Sequence, residues 1–177
     1  MSFFKCIEND VIKQFSFNIK LQRHLTYVKI HTNFMENNMQ KHNKDVVQVL
    51  KDDGVDKVII DDLENVSSTN VDDLIKKMGS GSWAVRLVYN EKFGGVLIQQ
   101  QPNEGNRLHS HPDADECWVI LAGSWEWYIE GEGTKIVQKN DIVVVQKNTK
   151  HKITCVGDSP GIRFAITAPD VDHIYAS

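Results

Sequence analysis

Hydrophobic and polar positions fall into two regimes along this chain, and the boundary lies near Gly81. Beyond it, apolar and polar residues alternate in short runs between turn residues, the mark of half-buried strands. "WAVRLVY" and "GVLIQQQ" flank "NEKFGG", which predicts a hairpin. "ECWVILAG" and "SWEWYIEGEG" follow, split at Gly123. "TKIVQKNDIVVVQKN" supplies two more strands about a turn at Lys139–Asn140, and "HKITCVG" and "GIRFAITAP" complete the series. At least eight strands with no helix between them predict an all-β antiparallel sandwich or barrel.

Before Gly81 the pattern is mixed. Phe15, Phe17, Ile19 and Leu21 alternate with polar residues and predict a strand, and "LTYVKIHTNF" is a second candidate. "DVVQVLKDDG" predicts a short helix stopped by Gly54, and "KVII" a brief strand. "NVDDLIKKMGSG" predicts a helix with Asn70 as its N-cap, lysines in its last turn and Gly79 at its end. The layout is an arm over 1–44, a helical lead-in over 45–80, a strand domain over 81–170 and a tail over 171–177. The arm could add strands to a partner subunit.

Composition narrows the function. The 177 residues carry a net charge of −4 and no Lys/Arg cluster, so nothing favours nucleic acid. No apolar run reaches the roughly 18–20 residues that cross a bilayer. The first residues lack the pattern of a signal peptide. Cys6, Cys117 and Cys155 are odd in number and lack CxxC spacing, which predicts free thiols and a cytoplasmic protein.

The chemistry gathers in "GNRLHSHPDADECWVILAG". Residues two apart on a strand share a face, so His109 and His111 project together. Pro112 and the polar run after it predict a turn, and Glu116 opens the next strand, so one hairpin would present three ligand-type side chains. His151, which begins "HKITCVG", is the candidate fourth. Imidazole and carboxylate suit one divalent transition metal, such as Fe, Mn, Ni or Zn, better than calcium or magnesium. Scattered surface histidines are common, but this ordered set on an all-β chain outweighs decoration.

That ordered set resembles the cupin superfamily. The first motif of that family is a glycine, HxH, a glutamate and a second glycine. His109, His111, Glu116 and Gly123 match its spacing, while Gly105 stands closer to His109 than the motif asks. In the second motif His151 matches the histidine. Asn140, Gln146, Asn148 and Cys155 replace glycine, proline, glycine and asparagine. Asparagine tolerates the left-handed turn conformation, so those turns survive. The resemblance covers about residues 80–168. It implies a cupin-type antiparallel β-barrel, or jelly roll, with the metal inside and an N-terminal α/β extension, usually in a homodimer.

The same periodicity points Trp118 and Ile120 inward with Glu116, and Trp125, Trp127 and Ile129 into the core. Cys155 shares the face of His151. Arg163 and Arg86 lie on strands, where either could grip a carboxylate or phosphate. Trp118, Cys155 and Arg163 are therefore the candidate substrate-pocket residues. His24, His31, His42 and His173 have no ligand spacing and are expected on the surface. No nucleophile motif or phosphate loop occurs, so catalysis would run through the metal. The expectation is an enzyme acting on a small polar or anionic molecule, a dioxygenase-like oxidoreductase narrowly ahead of a lyase or isomerase. The alternatives are a non-catalytic small-molecule or carbohydrate-binding sensor, and a barrel that serves assembly through residues 1–44.

Overall fold

The computed structural model describes residues 46–176. The two strands expected before residue 35, the arm as a whole, and His24, His31 and His42 lie outside them. Residues 46–52 form helix α1, which buries Leu50. Strand β1 (Lys57–Ile59) follows, then α2 (Val71–Met78). The Asn70 side chain accepts from the Asp73 backbone N–H at 3.1 Å, satisfying a donor that the first helical turn leaves over. Asp72 and Asp73 in the first turn and Lys76 and Lys77 in the last complement the helix dipole.

Ten strands follow. They are β2 (Trp83–Tyr89), β3 (Gly94–Gln100), β4 (Gly105–Ser110), β5 (Glu116–Ala122) and β6 (Ser124–Ile129). The rest are β7 (Gly133–Gln138), β8 (Ile142–Val145), β9 (His151–Val156), β10 (Gly161–Thr167) and β11 (Ile174–Tyr175). They build two sheets, ordered β1-β2-β3-β10-β5-β8 and β11-β4-β9-β6-β7. Only β1–β2 is parallel.

Strand positions match the alternation in the sequence, but one pairing does not. The chain after Ser110 does not fold back as a hairpin: β4 lies in the second sheet and β5 in the first. The turn at 111–115 carries the chain across the sandwich, so Glu116 faces the histidines from the opposite sheet. Periodicity identifies strands and their faces, whereas partners are decided by long-range packing. The next crossing is a single residue. Gly123, with φ of +75°, joins β5 to β6, and a Cβ there would lie 2.6 Å from the Gly161 Cα. Only glycine meets both demands.

Two apolar layers result. Between the sheets lie Trp118, Ile120, Val143 and Val145 from one side and Trp125, Trp127, Ile129 and Ile153 from the other. On the outer face of the first sheet, Leu74 of α2 packs with Trp83, Val85, Leu97 and Ile162. Gln99 holds the end of α2 in place by donating to the Gly79 and Gly81 carbonyls at 3.1 and 2.8 Å. The turns where Asn140 and Asn148 stand for glycine have φ of 79° and 62°, the left-handed conformation expected of them.

Candidate metal centre

The inner layer ends in a polar cluster at one end of the sandwich. His109 is the register partner of His151 across β4–β9, so the two rings share a level, with centroids 4.3 Å apart. His111 follows two residues on and meets His109 edge to face at 4.8 Å. Glu116 approaches from the other sheet, its Oε2 3.2 Å from His151 Nε2 and 3.5 Å from His111 Nε2. One donor atom from each of the four lies within 4.8 Å of all the others, and all four residues are buried.

Each imidazole is aimed by the backbone. The Nδ1–H of His109 donates to the Arg107 carbonyl at 2.6 Å, and that of His151 to the Thr149 carbonyl at 3.1 Å. His111 donates to the Asp172 carbonyl at 3.0 Å, far away in sequence. A carbonyl only accepts, so Nδ1 carries the proton and Nε2 keeps its lone pair. The Nε2 atoms of all three histidines and Oε2 of Glu116 are buried without a hydrogen-bond partner. Four orphaned donor atoms facing one point, three nitrogens and an oxygen, are the ligand set of a single divalent transition metal. The carbonyls that fix the rings are the outer support such sites need.

Electrostatics agree. Burial, reinforced by His151, takes the His109 imidazole down to about 3, so it stays neutral and able to ligate. Burial also pulls on His111, but the neighbouring Glu116 carboxylate lifts it above its ordinary value overall. Burial would raise Glu116, yet the adjacent His111 and His151 rings hold it well below the usual carboxylate range. The carboxylate therefore stays charged, which is the form a cation needs.

This geometry sits inside a recognisable segment. Residues 96–167 match the family model described as the cupin domain. That segment resembles a cupin domain. No curated protein matches the chain. A Klebsiella pneumoniae protein with a double-stranded β-helix domain is 17% identical, with a TM-score of 0.54 over 64% of this chain and 99% of that one. A Bacillus halodurans protein is 16% identical, with a TM-score of 0.51 over 64% of this chain and 88% of its own. Both likenesses concern fold.

Beside the cluster lies a fourth histidine that the sequence pattern hides. His173, expected on the surface, stacks on His109 with centroids 5.1 Å apart and meets His111 edge to face at 4.5 Å. Burial and the neighbouring His111 lower it to about 4. Its segment is tied down by β11, where Tyr175 pairs with His109. Tyr175 also covers the Arg107 guanidinium at 4.0 Å, and Arg107 donates to the buried Asp53 at 2.8 Å. The spacing of His173 and Tyr175 repeats that of His109 and His111, which was the available signal. A strand of two residues is too short to show a period.

The other pocket candidates separate. Trp118 is 2% exposed, one step along β5 from Glu116. Cys155 is buried two steps along β9 from His151, its Sγ 3.9 Å from the Ser159 carbonyl, and burial raises its thiol. It stands outside the ligand cluster. Arg86 is closed off by ion pairs with Glu64 and Asp61. Arg163 is wholly buried between the sheets and donates to Gln100 Oε1 and Asn106 Oδ1, both at 2.5 Å. Asn106 and Gln100 are inward-facing polar residues that the sequence reading did not single out as site residues.

Proposed function

We propose that the protein is a metal-dependent cupin enzyme acting on a small polar or anionic molecule, with His109, His111, Glu116 and His151 as the metal ligands. The carrying observation is the convergence of four orphaned, buried donor atoms within 4.8 Å. A divalent metal there supplies Lewis acidity and, if redox-active, access to oxidation chemistry. Four ligands on a metal that accepts six leave room for a substrate. The chain's own contribution is to hold the imidazoles by their backbone bonds and keep Glu116 ionised. Trp118 and Arg163 would line the substrate side, with Cys155 further from the ligands. Dioxygenase-like oxidation is the first reaction class to assay, narrowly ahead of lyase and isomerase chemistry, because all three use this ligand set.

The reading includes a closed jelly-roll barrel, a homodimer and a cytoplasmic protein. Free Cys117 and Cys155 suit a reducing compartment. A non-catalytic binding module is the second reading, favoured by how little of His109, His111 and His151 is exposed, 2% at most. Elemental mass spectrometry of the gently purified, untagged chain should find about one transition-metal ion per chain. His151→Ala should lose the ion and any turnover while keeping the fold. No uptake when each ion is offered in turn would remove the metal reading. Full ligand binding after chelation would put the binding module first.

A further inference from the structure

Arg163 is fully buried, and none of the described ion pairs includes it. Its two hydrogen-bond partners are neutral amide oxygens. Its faces lie against Trp118 and Trp125, 4.6 and 4.5 Å from the ring centroids. Burial takes it down to about 9, and the charge of Glu116 opposes that fall. Leaving a guanidinium inside an apolar sandwich without an anion is costly, so the missing partner needs a physical account.

Its neighbours repeat the deficit. Arg163 Nε and Nη1, Trp118 Nε1 and Trp127 Nε1 are all buried without a hydrogen-bond partner. Every one is a donor that cannot accept. The Trp118 and Trp127 rings meet edge to face at 5.5 Å, and the Arg163 guanidinium lies against Trp118, so the three side chains form a contiguous group. The amide oxygens nearby already serve Arg163. A ligand group that satisfies this set must offer acceptors only, as carboxylate and phosphate oxygens do.

Position relates the donors to the metal ligands. Trp118 lies two residues from Glu116 on the same face of β5, about 7 Å along the strand. On the facing sheet, His151 pairs with Ile129, and the next inward pair is Ile153 with Trp127. Arg163 is the register partner of Ile120, one step deeper, and its side chain reaches back to the Trp118 ring. The donors thus form the layer directly behind the metal ligands. Charge points the same way. A divalent ion and Arg163 oppose the single charge of Glu116, because Asp53 is engaged by Arg107. A doubly negative ligand balances that interior.

We propose that Arg163, Trp118 and Trp127 form an anion subsite behind the metal, and that the substrate is a dianion whose two acidic groups are separated by a short chain. One group would lie on the metal side and the other on these donors. The proposal rests on the metal reading above and adds the class of substrate.

The test uses the full chain loaded with Mn(II). Calorimetric titration compares succinate with butyrate, which has the same chain length and one carboxylate. The Mn(II) electron paramagnetic resonance signal reports metal occupancy independently. Succinate should bind about tenfold more tightly than butyrate, the gain from one charge-assisted contact. Arg163→Gln should erase that preference with Mn(II) binding unchanged, and Arg163→Lys should retain part of it. Circular dichroism checks folding, and Arg163→Lys keeps the comparison usable if the glutamine variant does not fold. Equal affinities in the Mn(II)-bound wild type would overturn the subsite and leave the metal reading standing, with buried water then serving the donors. A succinate preference that survives in Arg163→Gln would also overturn it. Failure to take up Mn(II) or any other transition ion would overturn the metal reading and the subsite with it.

Discussion

Gly105→Ala tests how closely the metal site depends on one strand contact. A Cβ at Gly105 would lie 1.9 Å from the Ile153 carbonyl oxygen, 2.7 Å from its carbon and 2.8 Å from the Thr154 Cα. All three are backbone atoms of β9, so no rotamer change can relieve the clash. Restoring an ordinary carbon–oxygen distance of about 3.3 Å means parting the strands by more than 1 Å. The Cys155 N–H donates to the Glu104 carbonyl at 2.7 Å and the Asn103 N–H to the Cys155 carbonyl at 2.8 Å, and both bonds would suffer. Overpacking costs about 1–3 kcal/mol and each lost backbone bond about 1 kcal/mol, so the variant should lose about 3–5 kcal/mol. Urea melts at constant slope measure this. His109 and His151 pair across the same two strands, and a site holds its metal only if its ligands stay within about 0.5 Å of position. Chelator competition should therefore show at least about tenfold weaker metal binding. Gly81→Ala is the control, because a Cβ there meets nothing within 4 Å. A loss below about 1 kcal/mol for Gly105→Ala, with metal affinity intact, would refute the reasoning.

Two further outcomes follow from the same cluster. In chelated protein, His109 at about 3 and His173 at about 4 both lie below the ordinary histidine value of 6.5. The unfolded chain therefore binds more protons than the folded one below pH 6.5, and stability falls as pH falls. His111 is raised, so its contribution is complete below 6.5 and fades as pH rises, which offsets part of that fall between pH 7.5 and 5.5. Urea melts at pH 7.5 and 5.5 should differ by roughly 2 kcal/mol, and equal stabilities would contradict the burial of these rings. Metal at about a hundredfold over its Kd should stabilise the wild type by about 2.7 kcal/mol in thermal melts. Glu116→Gln should lose most of that gain, and an undiminished shift would exclude Glu116 as a ligand.

The legible parts of this protein were local ones. His109, His111 and Glu116 lie close enough in sequence for strand periodicity to aim them together, and the Asn140 and Asn148 turns are written in residue type. The placement of Glu116 on the opposite sheet was hidden because strand partners depend on distant sequence. His173 was hidden for the same reason: β4 holds it in place, and the Asp172 carbonyl meets His111 across 61 positions. Arg163 shows a third limit. Its strand, β10, is covered by the sandwich on one face and by the α2 layer on the other, so apolar residues occupy both faces. Without alternation, nothing in "GIRFAIT" says which way the arginine points.

The division of ligands between sheets has a mechanical consequence. Three come from the β4–β9 side and one from β5, so a bound ion rivets two layers whose strands share no backbone ladder. The sandwich then has unlike ends. Deeper in, Trp118, Trp125 and Trp127 clamp the layers permanently, while the ligand end is fastened only while the ion stays. Loss of the rivet would let that end breathe about the tryptophan clamp, with the β11 strap moving first because two residues hold it. Metal supply would then set the local suppleness of the fold as well as its chemistry.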